Sequence, residues 1–287
     1  MFFGGKNILV TFVPKEAATL QNINNMQYHI SAPTKIDTTI ALPASKSISN
    51  RAMIIHALSG GGTLPVNLSD CDDTEVIRHA LEHSPQTVDI KAAGTAMRFL
   101  TAYFAATPCE HTITGTERMK QRPIGPLVDA LRFLGADIEY LGEEGFPPLH
   151  IRGRQLDGGH VEIPGNVSSQ YISALLMIGP ALKNGLELKM TGDIVSRPYI
   201  ELTLWMMREF GAEADWSEAD TVSVRPKPYT RRAYTIESDW SSASYWYEML
   251  ALCGDSESSI RLTGLYDGSK QGDSVVKYIF SLLGIKT

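Results

Sequence analysis

Residues able to hold an anion crowd into one stretch of this 287-residue chain, Leu42-Pro-Ala-Ser-Lys-Ser-Ile-Ser-Asn-Arg51. It carries a lysine, an arginine, three serines and an asparagine, and the apolar run Ala52-Met-Ile-Ile-His-Ala-Leu58 follows at helical spacing. This reads as a strand end, a polar turn and the first turn of a helix. N–H groups at a helix N-terminus lack intrahelical partners and carry partial positive charge. Lys46 and Arg51 at such an end make a site for phosphate or carboxylate. Taken alone, the stretch reads equally well as a serine N-cap beside two solvated cations.

The elements that position these residues recur. Gly94-Thr-Ala-Met-Arg98, Ser168-Ser-Gln170 and Ser241-Ser-Ala-Ser244 also precede apolar helical runs, and Thr95, Ser168 and Ser241 are spaced 73 residues apart. A second marker keeps step: the segment opening Arg122-Pro-Ile-Gly is matched 75 residues later by one opening Arg197-Pro-Tyr-Ile, with a weaker third copy over 271–287. Gly135, Gly211 and Gly284 hold the same place in each copy, just past a helix, where a left-handed backbone favours glycine. Two markers in step define an internal repeat.

Each unit reads helix, strand, helix, strand, strand. In the fullest copy the helices are expected at 170–182 and 198–210, and the strands at 186–191, 221–225 and 233–237. A shorter early unit runs from 45 to 90, with its second helix at about 74–83. Such alternation gives an α/β class, with pseudo-symmetric units around a common core. The pattern breaks off shortly after Gly284, where two more strands are due, and so predicts a portion of something longer.

Composition narrows the partners. Hydrophobic residues make up 43% and charged residues 20%, as in an ordinary globular chain. A net charge of −6 argues against a general nucleic-acid binder, so the basic residues that matter are local to a site. Cys71, Cys109 and Cys253 form no CxxC pair; neither a zinc signature nor a disulfide framework is present, and a reducing, cytoplasmic setting is expected. No apolar run approaches the ~18 residues of a membrane span. The apolar core of the N-terminus is too short for a signal peptide, and residues 1–25 read as an extension before a fold that begins near Gln27. His56, His79, His83 and His111 read as structural or surface histidines. Cys71 and Cys109 have no base nearby in sequence.

If the units pack with approximate symmetry, several helices open on one cleft. The first helices open at Lys46/Ser47/Arg51, Gly94/Thr95/Arg98 and Ser168/Ser169/Gln170, and the second helices at Arg118/Lys120/Arg122 and Ser196/Arg197. Fixed positive potential in a chain of negative net charge implies a ligand with more than one phosphate or carboxylate group.

Six segments, in order, resemble one family. They are Leu42-Pro-Ala-Ser-Lys-Ser-Ile-Ser-Asn-Arg51, Ala93-Gly-Thr-Ala-Met-Arg98, Arg118-Met-Lys-Gln-Arg-Pro-Ile-Gly125, Gly165-Asn-Val-Ser-Ser-Gln170, Ser196-Arg-Pro-Tyr199 and Ser238-Asp-Trp-Ser-Ser-Ala-Ser-Tyr245. They look like the EPSP synthases, the 3-phosphoshikimate 1-carboxyvinyltransferases of the shikimate pathway, from about residue 27 onward. The sister UDP-N-acetylglucosamine enolpyruvyl transferases share that fold but are not similar at the Ser-Lys-Ser-x-x-x-Arg stretch.

The resemblance implies the enolpyruvyl transferase fold, two domains of three βαβαββ units each that close over substrate. Residues 46–236 would form a nearly complete first domain, and 27–45 with 237–287 part of a second. It implies transfer of the enolpyruvyl group of phosphoenolpyruvate to the 5-hydroxyl of shikimate 3-phosphate, with no metal or organic cofactor, by an enzyme that is monomeric at full length. Carried over residue by residue, Lys46, Ser47, Arg51, Ser168, Ser169, Gln170, Ser196 and Tyr199 would hold shikimate 3-phosphate. Lys46, Gly94, Arg122 and Gln170 would hold phosphoenolpyruvate. Ala92 stands where the family often has Asn, and Phe99 where it has Pro, a change expected to shift the helix carrying Gly94. The family's catalytic aspartate and glutamate would lie beyond residue 287, so weak binding and little turnover are expected of this chain alone. The reading from another class is a non-catalytic anion- or partner-binding module that keeps the fold.

Overall fold

A computed structural model describes residues 34–253 and 255–287. The expected extension over 1–25 and the start of the fold near Gln27 lie outside the described residues.

The chain alternates strands and helices. It opens with β1 (Asp37–Ala41), α1 (Lys46–Leu58) and α2 (Asp72–His83). One unit then runs β2 (Thr87–Asp89), α3 (Gly94–Ala106), β3 (Cys109–Thr114), the short α4 (Glu117–Lys120), α5 (Gly125–Phe133), β4 (Asp137–Tyr140) and β5 (Leu149–Gly153). The next runs β6 (Gly159–Pro164), α6 (Ser169–Ile178), β7 (Leu186–Thr191), α7 (Arg197–Glu209), β8 (Ala214–Trp216) and β9 (Thr221–Val224). After it come α8 (Trp240–Cys253), β10 (Ser259–Thr263) and α9 (Val276–Ser281).

The repeat is real at the level of topology. One sheet has the order β2-β3-β5-β4 and the other β6-β7-β9-β8. In each, the first two strands are parallel, joined across a helix, and the last two form an antiparallel hairpin whose final strand inserts beside the second. That is a βαβαββ unit twice over. β1 and β10 form a third parallel pair, with Asp37 opposite Ser259. Gly135, Gly211 and Gly284 have φ of +99°, +84° and +86°, the left-handed conformation their shared position requires.

Two details differ from the sequence reading. The helix expected to reach 182 stops at Ile178 and tightens into a 3-10 turn, Gly179–Ala181. Pro180 cannot donate there, and a Cβ on Gly179 would lie 2.9 Å from Val224, so the helix end is pressed against β9. The strand expected at 233–237 is absent. The hairpin partner of β9 is the earlier β8, and 233–237 instead crosses to the early unit, where Thr235 bridges Val66. Pro226 and Pro228 lack the N–H groups a continuing ladder would need.

Buried side chains fall into two apolar clusters. The larger packs α1, α2, α3, α5, α6 and α7 against the two four-stranded sheets, through residues such as Ile55, Phe99, Leu131, Leu175 and Leu204. The smaller gathers Leu42, Trp240, Ala243, Tyr247 and Val276 around β1, β10 and α8. The helices of the large cluster therefore lie side by side, α3 on α6 and α6 on α7, which sets their starts near one another. Among the described residues, no helix is long and apolar enough to cross a membrane.

Candidate anion-binding site

The first turns of α1, α3, α6 and α7 meet at a cavity of about 240 Å³. Lys46, Ser47 and Arg51 line it from α1, Ser168, Ser169 and Gln170 from α6, and Tyr199 from α7. Asn50 and Thr95 complete the wall. The local sequence explains the openings. Ser45 caps α1 by accepting from the Ile48 N–H, and Ser168 caps α6 by accepting from the Gln170 N–H. Pro198 sits in the first turn of α7, where no N–H partner is lost.

Arg51 is the centre of the site. It is only 3% exposed, and its ring neighbours are Phe99 and Tyr199, 5.5 and 6.0 Å from the guanidinium carbon. Nε donates to Thr203 Oγ1 (2.7 Å), Nη1 to the Ser47 carbonyl (2.9 Å), and Nη2 to Ser173 Oγ (3.1 Å) and the Tyr199 carbonyl (3.4 Å). A guanidinium has five N–H donors, so one on Nη1 is left over. Among the described residues Arg51 has no carboxylate partner, and burial pushes it down to about 10. It still carries its full charge at neutral pH. A buried charge without a counterion is costly and is expected where a ligand supplies the counterion.

Around Arg51 the side chains are tied together. Gln170 Nε2 donates to Thr95 Oγ1 (3.2 Å), joining α6 to α3. Asp73 accepts from the Thr95 N–H (3.1 Å) and faces Lys46 Nζ at 3.6 Å. Arg98, buried on α3, donates to the Gly94 carbonyl (3.0 Å) and the Pro123 carbonyl (2.9 Å), which fixes the Arg122-Pro123 corner against the start of α3. A Cβ on Gly94 would overlap the Arg122 guanidinium. Phe99 is fully buried on α3, which runs unbroken from Gly94 to Ala106.

Seven of the ten expected residues thus line one cavity: Lys46, Ser47, Arg51, Ser168, Ser169, Gln170 and Tyr199. Gly94 and Arg122 form a touching pair beside Thr95, outside that lining. Ser196 is the exposed N-cap of α7, with φ +56°, one turn before Tyr199. Sequence reasoning missed Asn50 and Asp73. Asn50 was findable, since positions 46, 47, 50 and 51 share one face of a helix. It is fully buried, accepts from the Thr74 hydroxyl (2.7 Å), and its Nδ2 has no partner among the described residues. Asp73 arrives from another helix, with no local signal. A larger hollow of about 400 Å³ lies elsewhere, by Trp240, Tyr247 and Leu262, and contains none of the expected site residues.

Fold and site together define an α/β protein of repeated βαβαββ units whose helix N-termini surround a pocket lined by Lys46 and Arg51. Comparisons with known proteins place it further. Residues 77–286 match the family described as EPSP synthase (3-phosphoshikimate 1-carboxyvinyltransferase). A 3-phosphoshikimate 1-carboxyvinyltransferase of Bacteroides fragilis is 61% identical over 262 residues, covering 91% of this chain and 63% of that protein. One from Shewanella halifaxensis is 38% identical over 275 residues, covering 86% and 64%. An EPSP synthase structure from Acinetobacter baumannii superposes with a TM-score of 0.65 at 22% identity, over 75% of this chain and 54% of that one, a likeness of fold. This chain belongs to the EPSP synthase family. It spans a little under two thirds of the length of the curated relatives it matches.

Proposed function

We propose that this chain forms the shikimate 3-phosphate side of an enolpyruvyl transferase. The reaction is addition of the 5-hydroxyl of shikimate 3-phosphate to phosphoenolpyruvate, then elimination of phosphate from the tetrahedral adduct. The observation that carries the reading is Arg51, a buried cation with no carboxylate partner among the described residues, at the meeting point of four helix starts.

Lys46, Ser47, Arg51, Ser168, Ser169, Gln170, Ser196 and Tyr199 would hold shikimate 3-phosphate. Lys46, Gly94, Arg122 and Gln170 would hold phosphoenolpyruvate. The tight Gly94–Arg122 contact supports the second set, because it presents a guanidinium next to helix N–H groups. We also propose that 46–236 is one domain and that 27–45 with 237–287 belong to another, supported by the two separate apolar clusters.

The test is a pair of assays on this chain. Binding of shikimate 3-phosphate but not of shikimate is the expected result. Equal binding of shikimate, or no binding of either, would contradict the site.

A further inference from the structure

The Nε–Nη2 edge of an arginine is the one that commonly grips a carboxylate side-on. In Arg51 that edge is held by two neutral hydroxyls, Thr203 at 2.7 Å and Ser173 at 3.1 Å. Both residues are fully buried, on α7 and α6. Ser173 and Thr203 lie 2.8 Å apart, and the Thr203 hydroxyl donates on to the Tyr199 carbonyl at 2.8 Å. With Ser173 donating to Thr203, every hydroxyl proton in the chain points away from the guanidinium. Both oxygens face the cation as acceptors. The other groups against it are neutral too: the Ser47 and Tyr199 carbonyls and the Phe99 and Tyr199 rings.

We propose that Ser173 and Thr203 are positioning residues that hold the Arg51 guanidinium rigidly without neutralising it, keeping its charge for an acidic group of the ligand. The inference rests on the anion site proposed above. A carboxylate at either position would hold the arginine as well and stabilise the fold more, but would cancel the charge the ligand needs. Stability and affinity are therefore opposed at these two positions, and a merely structural role would not oppose them.

The experiment compares Thr203→Asp, Thr203→Asn and Thr203→Ser in the full 287-residue chain. Thermal unfolding at pH 7 and calorimetric titration with shikimate 3-phosphate are read for each. Thr203→Asp should melt higher than the isosteric Thr203→Asn at pH 7. The gap should close as pH falls through the folded pKa of the new carboxylate, which Arg51 would depress below the usual ~4. Thr203→Asp should also lose at least about 30-fold in affinity, whereas Thr203→Ser should stay within about threefold of the parent. An Asp variant no more stable than the Asn variant, or one that binds like the parent, overturns the proposal. If Thr203→Asp does not fold, Ser173→Asp against Ser173→Asn makes the same comparison from the second hydroxyl. A parent chain that binds neither shikimate 3-phosphate nor inorganic phosphate would defeat the site assignment and with it the charge's proposed use. The melting comparison would still decide whether Arg51 lacks a counterion.

Discussion

The guanidinium of Arg122 occupies the space that a side chain on Gly94 would need. Arg122 is the flexible partner, so a methyl group at 94 is expected to move the arginine rather than the helix. Gly94→Ala should leave the melting temperature within about 2 °C of the parent, since alanine suits a helix better than glycine. The same change should weaken phosphoenolpyruvate binding about tenfold or more, measured by titration in the presence of shikimate 3-phosphate. A variant that melts far lower would mean that Arg122 is locked in place and the backbone yields.

Asp73 puts a negative charge beside Lys46, 3.6 Å away, at the edge of the proposed anion pocket. Replacing it by asparagine keeps an oxygen for the Thr95 N–H and removes the charge. Asp73→Asn should tighten inorganic phosphate binding about threefold to tenfold at low salt, and the gain should shrink in 0.5 M salt as screening sets in. Unchanged affinity at low salt would show that Lys46 does not act on the ligand.

The repeated glycines make a prediction about stability alone. Among the described residues a Cβ on Gly135 would meet nothing within 4 Å, so Gly135→Ala tests its φ of +99°, at a cost of about 1–2 kcal/mol. Gly211 shares the conformation, but its Cβ would lie 3.0 Å from Thr230. Gly211→Ala should therefore cost more than Gly135→Ala in denaturant unfolding, with shikimate 3-phosphate affinity unchanged in both. The reverse order would mean that the Thr230 contact relaxes freely.

The pH dependence of binding follows from two groups. A phosphate monoester gains its second charge near pH 6, so affinity should rise between about pH 5 and 7. Burial holds Arg51 at about 10, below the ordinary arginine value of 12.5. The charged form persists below that value and is lost as pH rises through it. Affinity should thus stay level from pH 7 to about 9 and fall beyond. A decline already complete by pH 8 would point to a different cation.

The sequence carried the repeat clearly, because its markers are backbone requirements. Gly135, Gly211 and Gly284 must take positive φ, and serine caps must precede the helices. Most of the cavity lining was legible for the same reason, since it is built from helix starts. What was hidden depends on packing between units. Residues 233–237 alternate like a strand, yet pair with Val66 in the early unit instead of closing a hairpin. Asp73 reaches the site only because α2 packs on α1 and α3. Ser173 and Thr203 are polar residues in apolar helices, and only the position of Arg51 gives them a purpose.

The central claim is that Arg51, a buried cation with no carboxylate partner among the described residues, binds an acidic group of the ligand, and calorimetric titration of shikimate 3-phosphate into this chain and its Arg51→Ala variant tests it most directly. The parent should bind, and the variant should lose about a hundredfold or more, as for a charge-assisted contact in a desolvated pocket. A folded Arg51→Ala chain that binds as the parent does would contradict the account.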